Sequence, residues 1–411
     1  INESFSDLWG EYYDQTNGQG NDSAGAKWQV GEDISGIGAI RSMSDPTTYG
    51  DPDRMTSPSY YNGDADNGGV HYNSGINNKA AYLMVEGGFF NGKNVAALGW
   101  DKTASIYYEA NTNLLTSGSN YSDLYYILQQ ACTNLIGQKE ITIGDCVEVK
   151  DAIDAVEMSA PAYGGFYPDA PACAAGASPA ALFQDNFESG TGNWDILGSG
   201  QWRWDNWYAT SATHMLWGDD YASSSDSMLT MKNGIYLAPG TSPYLHFRHA
   251  FLFENNSSTY YDGGVLEYST NNGATWLDAA SLFSAGKNYS GTVDATPGTS
   301  NALKGRWAFT GDSHGYVSSR YDLAALAGQT VKFRWRFATD QFFAFMGWVV
   351  DDVQIYKCVP HISGNAGAAW VSLSYMDGTP KTVLSDGKGN YSIPVPSGWS
   401  GTVTPALAGV T

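Results

Sequence analysis

Positive charge is scarce in this 411-residue chain. Its 21 Lys and Arg stand against 42 Asp and Glu, a formal net charge of −21. A nucleic-acid binder works by neutralising phosphates, so this balance excludes nucleic acid as a partner. Long apolar runs are missing as well. None approaches the ~18 residues of a spanning helix, so no membrane span is expected. Only four cysteines occur, Cys132, Cys146, Cys173 and Cys358, and none forms the C-x-x-C pair of a structural zinc site. The even count suits two disulfides and a secreted, extracellular setting. Three pairings are open. Cys132 and Cys146 lie close together at the end of a helical stretch, and Cys173 and Cys358 bracket a β-like stretch, which favours those two bridges.

What is present is apolar and turn-forming. Hydrophobic residues make up 42%, aromatics 14%, and there are 48 glycines. A chain this long divides into roughly two to four domains. Residues 1–159 read as mainly helical, with Phe5, Leu8, Trp9 and Tyr12 at helical spacing. Further helical patterns lie near 77–88, where Asn73-Ser74 offers caps, and near 101–116, 121–136 and 146–158. This stretch holds 22 acidic against 8 basic residues, two thirds of the net charge. Residues 160–180, rich in Pro, Ala and Gly, read as a linker. Residues 181–358 change to short alternating runs separated by turns, the pattern of an antiparallel β-sandwich. Residues 359–411 repeat it on a smaller scale. The expected fold class is multidomain α + β: a helical lobe, an antiparallel β-sandwich and a small partial sandwich. The chain opens at Ile1 directly into a helical pattern and stops at Thr411 inside a β-type module, so a processed piece of a longer secreted protein is expected.

Three segments of the helical region carry chemistry. In Asn2-Glu3-Ser4-Phe5-Ser6-Asp7 the two acids are four apart and share a helix face. Such a pair can place one oxygen on a metal and another on a neighbouring histidine. In Ala39-Ile40-Arg41-Ser42-Met43-Ser44-Asp45-Pro46 the guanidinium can act as a fork aimed at a carbonyl, held by a carboxylate. In Asp66-Asn67-Gly68-Gly69-Val70-His71 a Gly-Gly turn lets Asp66 meet the imidazole. The other ring nitrogen is then free to donate to a developing oxyanion.

Together with W-x-x-GEDI (Trp28–Ile34), RSMSDP-x-x-YGDPD (Arg41–Asp53) and DNGGVH-x-NSGI-x-NKAAYL (Asp66–Leu83), these segments resemble the C-terminal half of a thermolysin-like zinc metallopeptidase, from Ile1 to about Ala160. The resemblance implies a zinc-dependent endopeptidase acting on protein or peptide substrates. It implies Glu3 as a zinc ligand, Asp7 as the acid behind a zinc-binding histidine, and Arg41 as the grip on a substrate carbonyl. Asp66 and His71 become the pair that stabilises the tetrahedral intermediate. Val30, Ile34 and Ile40 line a pocket for an apolar side chain after the cleaved bond. Glu32 and Asp14 match calcium positions of the family, although Lys27 stands where the family often has an acid.

The family also needs H-E-x-x-H for two zinc ligands and the general base. The six histidines here, His71, His214, His246, His249, His314 and His361, contain no such motif. Zn2+ would have to be completed by a missing N-terminal peptidase lobe, and this polypeptide alone is expected to be inert. Further on, DNFESG-x-x-NW (Asp185–Trp194), YYDGGVLEYSTNNGATW (Tyr260–Trp276) and WVVDDVQIY (Trp348–Tyr356) resemble MAM-like jelly-roll domains. That likeness implies glycan binding through exposed aromatics or Ca2+ binding through loop acids such as Glu188, Asp351 and Asp352. The last segment resembles a carboxypeptidase-regulatory-like or Ig-like module. The alternative reading is a non-catalytic secreted adhesion protein built on a degenerate peptidase lobe.

Overall fold

A computed structural model of the chain describes all residues except 64, 165–168, 200, 257, 367–370, 386–389, 397 and 407–411. Part of the 160–180 linker and part of the 359–411 module therefore lie outside the described residues. The chain forms two compact units. The first comprises residues 1–168 with 206–213 and 314–316, and the second holds the rest.

The first unit is helical. Its long helices are Asn2–Asn17, Gly75–Glu86, Gly99–Glu109, Tyr121–Asn134 and Ile143–Ala155. Two of them start at capping boxes, Asn120 with Asp123 and Thr142 with Asp145, in which each side chain satisfies the other residue's backbone N–H. The helix Gly75–Glu86 is buried along nearly its whole length, with Ile76, Ala80, Ala81, Leu83 and Met84 in the core. Phe5 and Leu8 of the first helix join that core, and Phe5 meets Tyr107 edge to face at 5.2 Å. Cys132 and Cys146 are bonded, which ties the last two long helices together.

The second unit is antiparallel β. One sheet is ordered Leu277–Asp278, Gly263–Ser269, Thr330–Thr339, Ser225–Met231, Trp194–Gly198. The other runs Phe283–Gly286, Val317–Asp322, Pro243–Leu252, Gly347–Asn365, Met215–Gly218, Trp202–Asp205. Alternation decides which side chains enter the core. Val331, Phe333, Trp335 and Phe337 point inward from one sheet, and Leu245, Phe247, Phe251 and Phe253 from the other. Gly264 is required by packing, since a Cβ there would lie 2.4 Å from the Trp348 ring. Cys173 and Cys358 are bonded. The strand Gly347–Asn365 passes position 358 without a break and pairs with Asn390–Pro394, so the sandwich and the following module share a strand.

Candidate active site wall and acid clusters

The site in the helical unit is built on the first turns of the first helix. Asp7 is buried, and the fork of Arg41 grips it: Nε donates to Oδ2 at 2.9 Å and Nη2 to Oδ1 at 2.6 Å. Asn78 also donates to Asp7 Oδ2, at 2.8 Å. Arg41 reaches the acid because a two-stranded ladder pairs Val30 with Arg41 and Gln29 with Ser42. Asp51 is buried nearby. Its burial pushes the carboxyl up to about 6 against the pull of Arg41, with Asp7 adding repulsion.

The turn before His71 takes a left-handed backbone at Asp66, Asn67, Gly68 and Gly69. Gly69 needs its missing side chain, because a Cβ would fall 2.7 Å from the Tyr61 ring. The turn folds Asp66 back onto His71, whose backbone N–H donates to Oδ2 at 2.8 Å while Nδ1 meets Oδ1 at 2.6 Å. The far nitrogen, Nε2, faces Glu3 Oε2 at 3.1 Å. Donation of the ring N–H to Asp66 raises the imidazole's pKa, and Glu3 adds to it. The same bond lowers the pKa of Asp66. Ser74 joins the two pairs: its Oγ donates to His71 O at 2.7 Å and lies 3.4 Å from Asp7 Oδ2.

The five residues singled out on this wall, Glu3, Asp7, Arg41, Asp66 and His71, therefore form one connected network. Ser74 departs from expectation. It stands at the start of its helix, but its side chain makes no cap bond and serves the network instead. Asn78 and Ser74 also serve the network and Asp51 lies beside it; all three sit inside the motifs that carry the resemblance, but nothing in their residue types or spacing marks them as site residues. Ile34 and Ile40 come together over Gly31, where a Cβ would meet them at 3.5 and 3.6 Å; both are exposed, and Val30 pairs with Arg41 in the adjoining ladder.

Asp14 and Glu32 come together with Asp33, each offering an oxygen within 4.8 Å of the others. Burial raises the pKa of Asp14 and of Glu32, with the neighbouring acids adding repulsion. In the sandwich, Glu188, Asp351 and Asp352 form no such group among the described residues; Glu254, Asp262 and Asp340 do. The aromatic residues at 202, 204, 207 and 208 differ in environment. Trp202 is core, Trp204 stacks on His214 at 3.9 Å, and Trp207 stacks on Tyr208.

Residues 1–158 match the family model described as the thermolysin metallopeptidase, alpha-helical domain. The same region is 42% identical over 166 residues to a bacillolysin of Bacillus cereus, covering 39% of this chain and 27% of the relative. It is 44% identical over 163 residues to a thermolysin of Alicyclobacillus acidocaldarius, covering 38% and 28%. The helical unit is thus a thermolysin-type C-terminal domain, followed by antiparallel β structure. The chain spans under a third of the length of these curated relatives. A solved adhesin domain of Lys-gingipain from Porphyromonas gingivalis aligns with 43% of this chain and 100% of its own at 16% identity, with a TM-score of 0.26.

Proposed function

We propose that this chain supplies one wall of the active site of a secreted zinc-dependent metalloendopeptidase. The observation that carries the reading is the connected network of Glu3, Asp7, Arg41, Asp66 and His71. Held by Asp7, Arg41 presents a fixed guanidinium whose Nη1 lies outside the carboxylate pair, suited to a substrate carbonyl. His71 holds a proton readily because Asp66 sits behind it, and its Nε2 can donate to the oxyanion of a tetrahedral intermediate. To do so it exchanges Glu3 for the substrate oxygen. Exposed Ile34 and Ile40, with Val30, favour an apolar side chain after the cleaved bond. The two disulfides suit an extracellular setting, and no described helix is long and apolar enough to cross a membrane.

Zinc does not fit the residues of this chain alone. A catalytic ion takes three protein ligands, and among the described residues Glu3 belongs to no group of three. The 411-residue chain is therefore proposed to be inert by itself. The test is a peptidase assay of this chain with added Zn2+, beside the same chain joined to a thermolysin-type lobe that carries H-E-x-x-H. The expected result is no metal-dependent cleavage by the chain alone. In the longer protein, His71→Ala should lower kcat about 100-fold or more. Cleavage by the chain alone, or full activity without His71, would sink the reading.

A further inference from the structure

The sandwich contains a second acidic group that the peptidase chemistry does not use. Glu254, Asp262 and Asp340 are all buried, and Asp262 is fully so. Each offers an oxygen within 4.8 Å of the others. They arrive from three strand ends: Glu254 follows Pro243–Leu252, Asp262 precedes Gly263–Ser269, and Asp340 follows Thr330–Thr339. Asp220, after Met215–Gly218, stands close enough for its charge to act on Asp262 and is also buried.

Buried carboxylates are normally paired, because an isolated charge loses its hydration. These are not. Among the described residues no Lys, Arg or His pairs with any of the four. Asp262 Oδ1 accepts the backbone N–H of Asp340 at 2.7 Å and the Asn301 amide at 3.3 Å, but the fully buried Oδ2 has no hydrogen-bond partner. Asp220 Oδ1 is likewise buried and unpartnered. Elsewhere the same sandwich pairs its acids with care: Arg336 holds Asp226 through two bonds of 2.7 Å, and Arg334 meets Glu267 at 2.6 Å. The missing partner at the strand ends is thus a feature of this place.

We propose that Glu254, Asp262 and Asp340, flanked by Asp220, bind a calcium ion. The donor set is all oxygen, which suits a hard cation and not zinc or copper. Calcium–oxygen bonds of about 2.3–2.6 Å put ligands on opposite sides of the ion about 5 Å apart, and the oxygens of the three acids lie within that reach of one another. Burial and mutual repulsion already press on the group, raising Asp262 to about 8 and Asp220 to about 7. A divalent cation relieves both.

The ion would also fix a neighbouring loop. The backbone N–H of Phe342 donates to Asp340 at 2.8 Å, that of Phe343 to Glu254 at 3.3 Å, and that of Phe345 to Asp220 at 2.9 Å. The three phenylalanine side chains are exposed, so the loop hangs from the acids and not from a core. Holding the acids holds the loop.

The experiment uses the full chain stripped with chelator, with Ca2+ alone as the added ligand. Binding is followed by calorimetry, and chymotryptic cleavage after Phe342, Phe343 and Phe345 is mapped by mass spectrometry. Calcium should slow that cleavage at least tenfold. Asp262→Asn and, separately, the less buried Glu254→Gln should each abolish the protection, while Asp33→Asn in the other acid group keeps it. Three results would overturn the proposal: no protection by Ca2+, equal protection in both sandwich variants, or loss of protection in Asp33→Asn. An equal response to Mg2+ at the same concentration would overturn the assignment to calcium.

Discussion

The active-site wall of the helical unit and the acid group at the strand ends of the sandwich treat ionisable groups in opposite ways. On the wall, Asp7 has Arg41, Ser74 and Asn78, Asp66 has His71, and His71 also faces Glu3. In the sandwich, Asp262 and Asp220 are buried with an oxygen left over. The histidines divide the same way. His71 is half exposed between two carboxylates, whereas His249 is wholly buried among aromatic rings. The difference teaches what each place is built to meet. A site whose charges balance internally is ready for a polar substrate that exchanges one hydrogen bond for another. A site with surplus negative charge is complete only with a cation.

The sharpest way to break this comparison is to remove one charge from each side. Arg41→Ala leaves Asp7 buried without its cation, and should cost the helical unit about 3 kcal/mol, as breaking a buried ion pair does. Adding Asp7→Asn should recover part of that loss, because the stranded charge is then gone. In the calcium-free chain the Asp262 carboxyl, pushed up to about 8 by burial and its acidic neighbours, is already largely uncharged at pH 7, so Asp262→Asn should leave the sandwich no less stable than the parent. Denaturant unfolding of the three variants, followed for each unit, measures both signs. A loss in Asp262→Asn as large as that in Arg41→Ala would mean the two acids are equally satisfied.

A smaller effect separates the histidines. Trp348 Nε1, which can only donate, donates to His249 Nδ1 at 3.1 Å, and Nε2 meets Ser319 Oγ at 2.9 Å. The ring is therefore neutral with its proton on Nε2. Burial holds its pKa well below 6.5, and Lys287 and His246 push it further down. For a depressed histidine the stability contribution is present above the unfolded pKa of about 6.5 and is lost as pH falls below it. Hydrogen–deuterium exchange at the imidazole C2, read by mass spectrometry, should show His249 neutral at pH values where His71 is already protonated. Coincident titration of the two rings would remove the contrast.

How far the sequence reveals these places follows from how each is assembled. Glu3, Asp7, Arg41, Asp66 and His71 come from three short segments, and in two of them the decisive neighbours are four or five residues apart. A helix turn or a tight turn is enough to bring them together, so spacing alone exposes Glu3 with Asp7 and Asp66 with His71. That Arg41 would close on Asp7 depends on the Val30–Arg41 ladder, which no local rule specifies. The helices, the change to β structure and the character of the β region are legible from period and turn residues. The acids at 220, 254, 262 and 340 are not. Asp262 sits in a quoted motif, yet it reads there as ordinary turn chemistry before a strand. Only the order of strands, with Gly263 opposite Ala338 and Leu252 beside Gly347, gathers the four.

The finest test acts within the helical site and should leave the fold alone. Asp66→Asn keeps an acceptor beside His71 Nδ1 but removes the charge. Both side chains are solvent-accessible, so folding stability should change little. The imidazole's pKa should fall toward its ordinary value, since the bond to Asp66 is the larger cause of its elevation and Glu3 the lesser. Glu3→Gln should lower it less, for the same reason. C2 exchange of His71 in the two variants gives that order directly. If Glu3→Gln moved the titration more than Asp66→Asn, the imidazole would take its charge from the first helix and not from the turn. The division of labour would then be reversed, with Glu3 as the residue that readies His71 and Asp66 as a brace for the loop.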